Sequence, residues 1–269
     1  MSKKKILYVT QEMKPFTNLS EISEIVRELA QASMNSGMEV RILMPRFGTI
    51  NERRHRLHEV VRLSGMNIIV DDDDYPLIIK VASLPGARLQ VYFLDNEEFF
   101  KRKSIFEDEK GTPHEDNQER MIFFCKGVVE TLKKFGWPPD IVHCHGWMTS
   151  LVPVYLKRAY KTEPLFKNCK VIYSSYDTFI EKSFNDEFIE KAQINHLEED
   201  DLASYQRNGS INLLEGAMEF SDTTVTSDAT LAASVNGSNN NDLVKEFNFE
   251  ESSDLIEQYI SLYNELTED

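Results

Sequence analysis

The sequence predicts a doubly wound α/β fold, a mostly parallel sheet with helices on both faces. Three observations carry that prediction. Short apolar runs bounded by polar residues recur along the chain, as strands buried on both faces require. Between them lie stretches whose apolar residues return every three or four positions. The two kinds of segment alternate in order, strand then helix then strand.

Lys5–Thr10 is the first expected strand. Ile22, Ile25, Val26, Leu29 and Ala32 then share one helical face, and the helix stops near Gly37. Glu39–Met44 is the second strand and completes a right-handed βαβ unit. From Arg56 to Asp95 the pattern alternates, with Leu77–Leu84 and Leu89–Leu94 expected as antiparallel or edge strands. Glu115–Phe135 reads as a long amphipathic helix, Asp140–His145 as a strand, Met148–Tyr160 as a helix and Cys169–Ser175 as a strand. Ile211–Phe220 and Thr223–Thr226 add a further helix and strand. Asn236–Asn241, rich in Asn, Gly and Ser, reads as a linker. Beyond it Leu255, Tyr259, Leu262 and Leu266 form one helical stripe, flanked by Ile256, Ile260 and Tyr263. So wide an apolar face must pack on something.

Composition narrows the function. The chain has 269 residues, 41% of them hydrophobic, enough for an ordinary buried core. Its net charge of −15 disfavours nucleic acid and anionic membranes as partners. No apolar run approaches the roughly 18 residues of a membrane span, and the apolar N-terminal stretch is too short for a signal peptide, so a cytoplasmic location is expected. Cys125, Cys144 and Cys169 are odd in number and widely spaced, which argues against a disulfide framework. The run Asp71–Asp74 lacks the spaced oxygen ligands and glycine of a calcium loop and reads as a solvated loop. No metal site and no cofactor are expected.

Several ordered motifs resemble the bacterial glycogen and starch synthase family, which extends α-1,4-glucans from ADP-glucose with two Rossmann-like domains. They are Lys5–Phe16, Val40–Gly48, Tyr92–Asp95, Asp116–Leu156 with Asp140-Ile141-Val142-His143-Cys144-His145-Gly146-Trp147 at its centre, Ile211–Leu214, and Phe220–Ser227. The resemblance implies a single Rossmann-like domain over residues 1–235, equivalent to the first half of a GT-B glycosyltransferase. A linker over 236–252 and a terminal helix over 253–267 would follow. Ser253–Leu266 is similar to the last helix of the full-length enzymes, which crosses back onto the first domain. On this expectation the second domain is missing and its helix is retained.

The resemblance also assigns residues. The family's Lys-Thr-Gly-Gly-Leu loop, whose backbone and lysine hold the donor diphosphate, aligns so that Asn18 stands at the lysine and Ser20-Glu21 at the glycines. Asn18, Ser20 and Glu21 are therefore the candidate, degenerate, substrate-binding loop. Asn18 with Glu21 reads instead as an N-cap and capping box. Glu21 would repel a phosphate by about 3 kcal/mol per unit charge at about 6 Å and an effective dielectric of about 20.

His145 matches the second histidine of the family's His-x-His-Asp-Trp motif and is the candidate catalytic residue. The family's aspartate is Gly146 here, and its later His-Asn falls near Ser174–Asp177, where histidine is absent. His143 reads as a buried strand residue. Trp147 is a candidate for substrate binding, or for packing the following helix. The expected function is a noncatalytic glucan- or partner-binding domain. The alternative is an active glucosyltransferase using ADP-glucose, completed by a separate donor-binding chain. A third reading is homo-oligomerisation, or docking of a partner protein, through the face that meets the second domain in the family.

Overall fold

The computed structural model describes residues 3–178, 184–233, 243–249 and 252–268. Its centre is a ten-stranded sheet in the order β12-β11-β8-β7-β1-β2-β6-β5-β3, with β4 paired to β5. The strands are β1 (Lys5–Thr10), β2 (Glu39–Pro45), β3 (His58–Glu59), β4 (Met66–Val70), β5 (Asp73–Ser83), β6 (Gln90–Asp95), β7 (Ile141–His145), β8 (Lys170–Ser174), β11 (Thr223–Thr226) and β12 (Val244–Glu246). From β12 to β6 every neighbouring pair is parallel, and β5 turns antiparallel to β6. A short antiparallel hairpin, β9 (Gln206–Arg207) with β10 (Ser210–Ile211), stands apart. The expected fold class is the observed one.

Helices α1 (Ile22–Asn35), α2 (Glu52–His55), α3 (Glu97–Phe100), α4 (Asn117–Phe135), α5 (Val152–Val154), α6 (Phe188–Ala192), α7 (Leu213–Glu219) and α8 (Ser252–Thr267) complete the domain. Right-handed crossovers decide their faces. The chain steps from β1 to β2 in one direction along the sheet and from β6 to β7 in the other. Hence α1 lies on one face and α4 on the opposite one, where it meets α5 and α6. Helix α8 packs beside α1. The order therefore reverses between β1 and β7, and ligands of open α/β sheets bind at the strand ends beside such a point.

Three local differences from the sequence expectations have physical causes. The segment expected as one helix from Met148 to Tyr160 is broken into a 3₁₀ turn (Trp147–Thr149), the short α5 and a π-helical turn (Tyr155–Ala159). Pro153 lacks an N–H and sits at the start of α5, where a helix needs none. The segment expected as linker contains β12, whose Val244 is buried and which extends the parallel sheet beside β11. Residues 236–241, the Asn-rich part, lie outside the described residues. The α7 helix begins only at Leu213, because Asn212 caps it through a hydrogen bond from the Glu215 N–H at 3.0 Å.

Candidate functional site

The loop after β1 is organised by one buried acid. Glu12 is fully buried, and its carboxylate accepts the Leu19 N–H at 2.5 Å, the Ser20 N–H at 2.9 Å and the Ser20 hydroxyl at 2.6 Å. An anion docking at the start of α1 would need such backbone donors. Here an internal carboxylate already holds them.

The expected capping box does not form. Glu21 is the N-cap residue, its backbone is already helical (φ −57°, ψ −29°), and its side chain makes no capping bond. Asn18 lies three residues upstream, and its Oδ1 accepts the Ser23 hydroxyl at 2.7 Å instead. Of the predicted loop residues, Asn18 and Glu21 are exposed and Ser20 is partly buried against Glu12. Sequence reasoning missed Glu12. An acid two residues beyond an apolar strand, within Thr10-Gln11-Glu12-Met13, was the available signal.

His145 does not face solvent. Strand alternation sends His143 and His145 to the same side of the sheet, beneath α1 and α8, and both are fully buried. Their rings lie 3.8 Å apart. The His145 Nδ1 bonds the Tyr176 hydroxyl at 2.9 Å, and the Tyr176 ring lies 4.9 Å from that of Phe249. Tyr176 comes from the segment where the resemblance expected a histidine. Residues 174–176 and the chain beyond β12 cover His145, so the side chain expected to face a transferred sugar is buried here.

His143 has two partners. Its Nδ1 bonds the Tyr263 hydroxyl at 2.6 Å and its Nε2 the Ser174 hydroxyl at 2.7 Å, which in turn meets the Tyr259 hydroxyl at 2.8 Å. Two residues of α8 therefore end in the polar interior beneath that helix. Burial pushes both imidazoles toward the neutral form. His145 falls to about 3 by desolvation alone, while desolvation first and then the neighbouring His145 hold His143 well below the usual range.

Gly146 follows with φ +81° and ψ 169°, a conformation that glycine alone adopts readily. A Cβ there would lie 2.5 Å from Gln11 Oε1 and 3.0 Å from Ile22 Cδ1. The positive φ and the side chains of Gln11 and Ile22 thus oppose the side chain that the resemblance places at this position.

An open cleft of about 860 Å³ runs past the ends of β8 and β11, between Trp147, Tyr176, Asp177, Asn212 and Ser227. Trp147 borders it with its ring packed between Phe106 (5.0 Å) and Phe184 (5.8 Å) and is only 3% exposed. The lining mixes aromatic rings with hydroxyl, amide and carboxylate groups, a combination that can both contact and hydrogen-bond a polyhydroxylated molecule. Trp147 reaches this cleft, whereas Asn18, Ser20 and Glu21 do not line it. Among the described residues, no group of three His, Cys, Asp or Glu side chains could hold a metal ion. No helix among them is long and apolar enough to cross a membrane.

A reversed parallel sheet, a loop-to-helix turn after β1 and a cleft at the strand ends define the first lobe of a GT-B glycosyltransferase. Residues 5–244 match the model of the starch synthase catalytic domain, and the chain belongs to that family. It is 36% identical over 233 residues to the glycogen synthase of Chlorobaculum parvum, covering 86% of this chain and 47% of that protein. It is 39% identical over 227 residues to the glycogen synthase of Chlorobaculum tepidum, covering 83% and 46%. The catalytic domain of starch synthase IV from Arabidopsis thaliana shares the fold with a TM-score of 0.70 at 19% identity, over 98% of this chain and 50% of that one. The chain spans about half the length of these relatives.

Proposed function

We propose that this chain is a noncatalytic member of the family, which binds a neutral α-glucan in the cleft beside Trp147 and does not bind ADP-glucose. The observation that carries this reading is the occupation of the Leu19 and Ser20 donors by the Glu12 carboxylate. A donor diphosphate would have to displace that buried charge, in a loop that offers exposed Glu21 and whose one lysine, Lys14, is paired with Glu24. The burial of His145 under Tyr176 supports the same conclusion, because a sugar-contacting group must reach the sugar. The starch synthase IV structure holds ADP and acarbose, so a related fold accommodates both a nucleotide and an oligosaccharide. The open cleft beside Trp147 supports the oligosaccharide as the ligand of this chain.

The second reading, a glucosyltransferase completed by a donor-binding partner, is favoured by the 36–39% identity to glycogen synthases. Calorimetric titration with maltoheptaose and with ADP-glucose separates the two. Binding of maltoheptaose alone is the expected result. Micromolar binding of ADP-glucose would overturn the proposal in favour of the transferase. Binding of neither would point to a protein partner or a second copy on the lobe-facing surface, which the solution mass would reveal.

A further inference from the structure

On the face of the sheet opposite α8, a cavity of about 430 Å³ opens between β4, α4 and α6. It shares no lining residue with the cleft beside Trp147. Lys126 of α4 lines it and is only 4% exposed. Its Nζ donates to the carbonyl of Ile69 at 3.0 Å and to that of Lys191 at 2.9 Å, two residues that also form the cavity wall. Among the described residues this amine has no carboxylate partner, unlike Lys191 nearby, which pairs with Glu119, Glu187 and Asp71.

An ammonium group carries three N–H donors, whereas a neutral amine carries two and a lone pair. Two carbonyls and no counter-ion therefore fit the neutral form. Desolvation, the sole cause, pushes this amine down to about 8. The other charged groups on the cavity wall are Glu130 on α4, Glu190 and Lys191 on α6, and Asp71 and Asp72 after β4. Of these, Glu130 is already engaged by Tyr160 and Lys133.

We propose that Lys126 is a nucleophilic amine that captures an uncharged aldehyde, such as the open-chain reducing end of a small sugar, as an imine. The Nζ lone pair forms the C–N bond while the carbonyl π pair moves to oxygen. The resulting carbinolamine loses that oxygen as water, with one proton from nitrogen and one from solvent, and leaves a protonated imine. Its remaining N–H still donates to one of the two carbonyls. The acidic wall disfavours an anionic aldehyde.

The test is reductive trapping of the full chain at pH 7.5 with glyceraldehyde and cyanoborohydride, followed by peptide mapping by mass spectrometry. At that pH the neutral fraction of Lys126 exceeds that of an ordinary lysine by roughly two hundredfold. Lys126 is expected to label at least ten times faster than the median exposed lysine. Glyceraldehyde 3-phosphate should label it at least ten times more slowly than glyceraldehyde does. Unfolding in urea should abolish the preference, and Lys126→Met should lack the fast labelling phase. Labelling of Lys126 no faster than that of exposed lysines would overturn the proposal, as would equal labelling by the phosphorylated aldehyde. Because the wild-type map is itself decisive, the inference stands or falls even if the variant does not fold.

Discussion

Replacing Glu12 by alanine tests the central structural claim. The change removes the acceptor of three short hydrogen bonds, from the Leu19 N–H, the Ser20 N–H and the Ser20 hydroxyl. Hydrogen bonds to a charged group contribute about 1.5–3 kcal/mol each. Leu19 is 47% exposed, so water can partly replace the lost acceptor at that end of the loop. Taking about 1 kcal/mol per bond after that discount gives a destabilisation of about 3 kcal/mol. For a chain of 269 residues the unfolding entropy is about 0.56 kcal/mol per kelvin, so Tm should fall by about 5 °C. Glu12→Gln keeps the shape and one acceptor oxygen but loses the charge, and should cost about half as much. Urea unfolding of the wild type and both variants, fitted with a common m-value, measures the two differences. A loss below about 1 kcal/mol for Glu12→Ala would refute the claim that this carboxylate organises the loop. Equal losses for Ala and Gln would refute the role of its charge.

Other expectations follow from the same interior. Tyr263→Phe removes the partner of His143 Nδ1 at a fully buried site and should cost about 1–3 kcal/mol, read from the urea midpoint. Gly146→Asp, which restores the residue type of the resembled motif, should destabilise by more than about 2 kcal/mol and gain no activity, because φ is +81° and Gln11 Oε1 occupies the space. The two buried histidines give a pH dependence with a definite sign. The unfolded chain takes up their protons near pH 6.5, whereas folded His145 does so only near 3 and folded His143 also well below its usual range. The unfolded state therefore binds more protons through this window, and stability is lost as pH falls below about 6.5. Between pH 7 and 5 His145 should account for about 2 kcal/mol, with His143 adding in the same direction, and replacing His145 by Gln should flatten the measured stability-versus-pH curve by about that amount.

Much of the fold was legible because burial writes a period into the sequence. Lys5–Thr10, Glu39–Met44 and Asp140–His145 are apolar runs since both faces of their strands are covered, and each forms a strand within a residue of the expected bounds. The stripe of Leu255, Tyr259, Leu262 and Leu266 likewise announced a helix that needed a surface, and its first three members are buried. β12 was not legible, because three residues after an Asn-rich run carry too little pattern to distinguish an edge strand from a connection. The broken helix after Trp147 was missed because its apolar spacing survives the change from α to π turns.

The sequence by itself determined the family, the order of the principal strands and helices, and the substitutions at Asn18, Ser20, Glu21 and Gly146. Side-chain direction and long-range pairing were decided only in three dimensions. Glu12 meets Leu19 and Ser20 across a loop, His143 meets a tyrosine 120 residues later, and Tyr176 closes over His145 from the segment after the neighbouring strand. A residue's own period states which face it takes, but not which partner waits there. The partner is set by how the sheet is wound, and that winding turns a resembled catalytic histidine into a sealed part of the core.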